Sequence, residues 1–146
     1  MPANGNISVR IAPEFVDIQS PFSIGTQTLP PGGYVREHSH PEHDEALHFI
    51  RGTGKAVVDG VEYTIEPGVT IFVAGTAATC SSTTPMPSCI GCGSSSPTLE
   101  VFFEEVGRPV IPGEPDPTPF PRPDNVLEIE RRTAFAPQPT DQRRPE

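Results

Sequence analysis

Residues 32–52 read GGYVREHSHPEHDEALHFIRG, and the fold turns on how this stretch is interpreted. Pro30-Pro31-Gly32-Gly33 is a strong turn signal. Tyr34 to His40 predicts a strand, Pro41-Glu42-His43-Asp44 breaks it, and Glu45 to Arg51 predicts a second strand in which Leu47 and Phe49 alternate. Gly52-Thr53-Gly54 turns the chain again. Side chains two apart on a strand leave the same face, so His38 and His40 project together. The turn at 41–44 sends the chain back, and Glu45 opens the returning strand beside them. Two neutral imidazoles and a carboxylate make a facial set of three metal ligands. Such a set suits Fe(II), Mn, Ni, Co or Zn and leaves positions open for substrate or water.

Working outward, the pattern of short strands and tight turns continues. Lys55 to Val58 and Val61 to Ile65 flank Asp59-Gly60, a hairpin signal because both residues tolerate positive φ. Glu66-Pro67-Gly68 is the next turn, and Val69 to Val73 is apolar and β-branched, as a buried strand would be. Upstream, Phe15 to Leu29 alternates weakly, and residues 1–13 read as an N-terminal arm even though Ile7, Val9 and Ile11 alternate. Residues 75–96 are almost all Ala, Thr, Ser, Cys and Gly, so strands there bring little bulk inward, and a roomy pocket for a bulky substrate is expected. Ser96 and Pro97 then suit a helix start and Gly107 its end. Leu99, Phe102, Phe103 and Val106 share one face of that helix. From Pro109 to Pro123 proline recurs nearly every other residue, which favours an extended, wrapping segment. Asp124 is placed to cap one short last helix through Arg132, and residues 138–146 are polar.

The chain is thus expected to be all-β: one barrel of jelly-roll type over residues 14–107, closed by a short helix, with a Pro-rich C-terminal extension at 108–146. Its 146 residues suit a single core. Nineteen acidic residues against ten basic ones give a net charge of −9, which disfavours nucleic acid and anionic lipid as partners. Met1 to Arg10 lacks the apolar centre of a signal peptide, and no apolar run reaches membrane-spanning length. A cytoplasmic location is expected, with Cys80, Cys89 and Cys92 as reduced thiols.

The spacing from Gly32 through His38, His40 and Glu45 to Gly52 resembles the first motif of the cupin superfamily at every fixed position. Pro67-Gly68 followed by Val69 to Val73 resembles the start of the second, and the likeness covers roughly residues 20–106. The resemblance implies a small β-barrel with one divalent metal ion in its interior and often a homodimer. It also implies His38, His40 and Glu45 as the ligands. The second motif normally supplies another histidine. Here that position is Thr79 without a gap, or Ala78 with one residue deleted, so nothing is carried over from the second motif.

Strand parity nominates the neighbours. Tyr34 and Arg36 share the face of the histidines; Leu47, Phe49 and Arg51 share that of Glu45. Arg36, Leu47, Phe49 and Arg51 are the candidate substrate contacts. An inward arginine needs a partner, either a substrate carboxylate or enolate held in forked geometry, or Glu37 or Glu42 at the barrel mouth. His43 in the turn and Tyr34 are candidate catalytic bases, whereas His48 is out of phase with Glu45 and faces away. Cys89 and Cys92 are three apart with no fourth ligand at matching spacing, so a zinc site is not expected. Glu104-Glu105 and Glu128-Glu130 read as solvated helix faces. Three functions fit: a metal-dependent enzyme performing a redox-neutral isomerisation, cyclisation, dehydration or decarboxylation on an oxygen-rich, polyketide-like small molecule; an Fe(II)-dependent dioxygenase; or a non-catalytic ligand-binding module.

Overall fold

A computed structural model describes residues 5–19, 22–40, 43–74, 79–83, 88–94, 99–115, 118 and 120–133; within these, 79–83, 88–94 and 99 are described by their backbone only. Nine strands run through the described residues: β1 (Asn6–Ile11), β2 (Ser23–Leu29), β3 (Tyr34–His38), β4 (Glu45–Arg51), β5 (Gly54–Val58), β6 (Val61–Ile65), β7 (Thr70–Val73), β8 (Thr79–Thr83) and β9 (Ser88–Ser94). Two short helices follow, α1 (Leu99–Val106) and α2 (Val126–Arg132). The strands form one sheet in the order β1-β2-β9-β4-β7 and another in the order β3-β8-β5-β6, with every pairing antiparallel.

Turn chemistry sets this topology. Only β1–β2 and β5–β6 join consecutive strands within one sheet; from β2 to β5, and again from β6 to β9, each connection carries the chain across to the other sheet. The β5–β6 hairpin turns on Asp59 (φ 48°) and Gly60 (φ 77°), the two positive angles a two-residue hairpin of this type requires. At the crossing from β6 to β7, Gly68 (φ 93°) donates its N–H to the Phe49 carbonyl at 2.8 Å, and Phe49 donates to Val69 at 2.9 Å. The turn is thereby sewn onto β4.

β4 alternates cleanly: Glu45, Leu47 and Phe49 are buried, and Ala46, His48 and Ile50 are exposed. Leu47 and Phe49 join Leu29 from β2 and Ala56 and Ile65 from the opposite sheet in one hydrophobic cluster, flanked by Val35, Val69 and Ile71. The core therefore lies between the two sheets.

Several expectations need correction. Residues 6–11 are the edge strand of the five-stranded sheet, with Ile7 paired to Gln27, and are not a loose arm. Residues 13–16 are turn and bend rather than strand, Phe15 and Val16 both bonding back to the Ala12 carbonyl. β3 and β4 are not a hairpin, since they lie in different sheets. In α2 the cap position is Asn125, one residue later than Asp124, and it makes no side-chain capping bond. Glu130 is not solvated. It is 1% exposed, while Glu104 and Glu128 do face solvent. The expected cap at Ser96, Pro97 and the polar tail at 138–146 lie outside the described residues. So do the side chains on which the roomy pocket rests. Gly107 ends α1 as expected, its N–H reaching the Phe103 carbonyl at 2.9 Å. Arg108 stacks over Phe120, 4.2 Å from the ring centre, and fastens the Pro-rich segment to the end of α1.

Phe49 has no exposed surface and sits centrally in the cluster. Phe49→Ala is expected to cost about 3–5 kcal/mol, the range for emptying an aromatic site in a packed core. Urea denaturation followed by circular dichroism would measure it.

Candidate metal centre

His38 ends β3, His40 lies two residues beyond, and Glu45 opens β4. The loop between them crosses from one sheet to the other, so the histidines and the carboxylate approach from facing layers. Near His38 the β3–β8 register shifts between Val35 and His38, a local irregularity of the kind that re-aims a side chain. As a result His38, Ser39 and His40 are all buried, where strict alternation would expose the middle one. The His38 and His40 rings meet edge to face with centroids 4.9 Å apart. Nε2 of His40 is 3.8 Å from Oε2 of Glu45.

One donor atom from each of His38, His40 and Glu45 lies within 4.8 Å of the others, and all three residues are buried. Nδ1 of His38 donates to the Arg36 carbonyl at 2.9 Å. That bond fixes the ring and leaves Nε2 as the ligating nitrogen, the outer support that metal-binding histidines normally have. Nε2 of His40 and Oε2 of Glu45 are buried atoms that find no hydrogen bond among the described residues, which suits ligands for a cation. The donor set therefore fits a divalent ion.

Burial lowers the His38 pKa from its ordinary value. The Glu45 carboxylate opposes the shift and the His40 ring adds to it. A neutral imidazole is the form that binds metal.

The backbone register sets Thr79 of β8 directly across from His38. This is the position at which the sequence expects a further ligand and finds none. Of the other candidates, Leu47 and Phe49 lie in the hydrophobic cluster, and Arg51 is exposed at the end of β4. His43 is half-buried and donates its backbone N–H to the His40 carbonyl at 3.0 Å, so it is tethered to the site. His48 faces solvent and bonds Thr70 Oγ1 at 2.8 Å. Tyr34 and Arg36 are half-buried on β3. The Arg36 guanidinium pairs with Glu130 of α2; Glu42, one of the partners expected for it, lies outside the described residues. Arg122 reaches the same Glu130 oxygen at 3.3 Å. Burial lowers the pKa of both arginines; for Arg122 the charge of Arg36 lowers it further, and Tyr34 opposes this.

Sequence reading missed Arg122 and Glu130. A signal was present for Glu130, which is four residues after Val126 and next to Ile129, on the apolar side of α2. The link between Ser23 Oγ and buried Glu100 at 3.0 Å, which ties β2 to α1, had no local signal.

Residues 25–78 match the family model described as Cupin domain. Solved structures of similar fold include the cupin domain of Cnp3 from Schizosaccharomyces pombe (8% identity, TM-score 0.54, 60% of this chain and 61% of that one). Others are KdgF from Halomonas sp. (13%, 0.52, 61% and 76%) and a predicted oxalate decarboxylase from Thermotoga maritima (18%, 0.53, 60% and 76%). The chain thus spans about three fifths of the yeast domain. At these identities the likeness is one of fold. No curated protein sequence matches at a significant level. Among the described residues no helix is long and apolar enough to cross a membrane.

The His38 shift gives a signed pH dependence. In the unfolded chain His38 takes up a proton near its ordinary pKa of about 6.5, while in the folded protein it stays neutral to lower pH. The unfolded state then binds more protons, so this contribution to stability is present above about pH 6.5 and falls as pH drops toward the folded pKa. For chelator-treated protein, the denaturation midpoint is expected to fall as pH drops below about 6.5. The fall should be shallower in His38→Asn. Parallel curves for the two proteins would exclude His38 as the source.

Proposed function

We propose that this chain, a member of the cupin superfamily, is a metal-dependent enzyme that carries out a redox-neutral step on a small, oxygen-rich molecule. The observation that carries this is the buried convergence of His38, His40 and Glu45, with His38 held in its ligating tautomer by the Arg36 carbonyl. When bound, a divalent ion would supply Lewis-acid polarisation of a substrate oxygen.

The chain's own residues do the rest. Leu47 and Phe49 continue inward from Glu45 on one face of β4 and give the site a dry floor, which strengthens every charge interaction above it. His43, half-buried and tethered by its backbone to His40, offers an imidazole beside the site, and Tyr34 offers a hydroxyl from β3. Arg36, two residues before His38, holds the Glu130 carboxylate beside the ligand-bearing strand, a place where a substrate carboxylate or enolate would meet the same guanidinium. Isomerisation, cyclisation, dehydration and decarboxylation all need this combination of a polarised oxygen and a movable proton.

A metal-free ligand-binding role has one specific observation in its favour: Thr79 stands across from His38 where a further histidine would complete the ligand set.

Metal content separates the readings. Protein purified without chelator is expected to carry near one equivalent of zinc, nickel or manganese by elemental mass spectrometry. His38→Ala/His40→Ala should carry none, with affinity lowered by more than the roughly 10–100-fold that loss of an outer-shell partner costs. Iron lost in the same control would redirect the reading to oxygen chemistry. Absence of metal in both proteins after reconstitution would leave a binder.

A further inference from the structure

Two arginines share one carboxylate beside the ligand-bearing strand. Arg36 on β3 and Arg122 in the Pro-rich segment both direct a guanidinium nitrogen at Oε1 of Glu130, which α2 buries to 1% exposure. The other oxygen, Oε2, is buried and has no hydrogen bond among the described residues. A carboxylate between two guanidinium groups is best held through both oxygens, each taking its own N–H donors in forked geometry. Glu130 occupies this place in a one-sided way, meeting both half-buried arginines through Oε1 alone.

The element that delivers Glu130 is a weak one. α2 has seven residues, its N-cap Asn125 makes no side-chain capping bond, and Arg132 ties it to Glu105 of α1 only at an exposed surface. Thr133 closes its C-terminal end on the Ile129 carbonyl, so the weakness lies at the N-terminal end; short helices without a side-chain N-cap sit at the low end of local stability. The strand that carries Arg36 is, by contrast, fixed: its carbonyl holds the His38 ring.

We propose that Arg36 and Arg122 form a binding site for a small carboxylate anion, held shut by Glu130 in the ligand-free protein, and that an incoming carboxylate displaces Glu130 and releases α2. That the anion is the enzyme's substrate rests on the function proposed above; the anion site itself rests on Arg36, Arg122 and Glu130. Glu130 is then a built-in competitor, and its removal raises affinity for free carboxylates instead of lowering it.

The test is a titration of sodium propionate into isotope-labelled, chelator-treated protein, followed by amide NMR, with sodium chloride as the ionic-strength control. Glu130→Ala is expected to bind propionate at least about tenfold more tightly than wild type, a change of about 1.4 kcal/mol. Adding Arg122→Ala to that variant should reverse the gain. In the wild type, saturation should speed hydrogen exchange across residues 126–132. Glu130→Gln, which keeps the shape of the side chain, is read in place of the alanine variant if the latter loses its dispersed spectrum. Equal affinity in wild type and in either Glu130 variant would overturn the proposal, as would binding that survives loss of Arg122, or no binding by any of them. The titration is repeated in the His38→Ala/His40→Ala background. Binding that persists there stands even if the protein never takes up metal, whereas binding that vanishes there places the anion elsewhere and overturns the proposal without touching the metal reading.

Discussion

Burying two imidazoles and a carboxylate together is the constraint around which this molecule is organised. Glu45 lies at the end of an otherwise apolar strand face, in line with Leu47 and Phe49. A lone charge there would be very costly, so its neighbours are imidazoles that can share a cation with it. His38 is held neutral by the same burial that makes the Glu45 charge expensive. The backbone contributes a carbonyl to orient one ring and a strand irregularity to bring both inward.

The zigzag path of the chain between two sheets makes this grouping achievable in so small a protein. Few residues separate His38 from Glu45, yet they belong to opposite layers, because β3 and β4 lie in different sheets. The hydrophobic cluster, drawn from both sheets, fixes the distance between those layers. Packing and ligand geometry are therefore set by the same side chains, and Phe49 serves both.

The sequence was most legible where chemistry is local. Turn residues such as Asp59-Gly60 and Glu66-Pro67-Gly68 declare themselves, and the spacing of His38, His40 and Glu45 carries its own meaning. Alternation in β4 placed Glu45, Leu47 and Phe49 on one buried face, as the structure has them. What could not be read was the pairing of distant segments. The arm at Ile7 to Ile11 alternates too weakly to announce that β2 will accept it as a partner. The β3–β4 segment looks like a hairpin because a short polar turn joins two strands, and nothing in those residues says that the strands will enter different sheets. Glu130 was assigned to solvent because a glutamate on a short helix is usually there. Its place beside Val126 and Ile129 hinted at burial, but its partner Arg36 lies far away in sequence and only the docking of α2 brings the two together.

The crossing between β3 and β4 has a mechanical consequence. Ligands mounted on a single sheet would grip an ion without restraining the rest of the molecule. Ligands mounted on facing sheets turn an ion into a rivet through the sandwich: to slide or part the layers, the coordination must first be broken. Free energy of binding is then stored as resistance to shear, because only the folded arrangement brings the three donors together. Local tightness at one end of the core would thus set the rigidity of the whole.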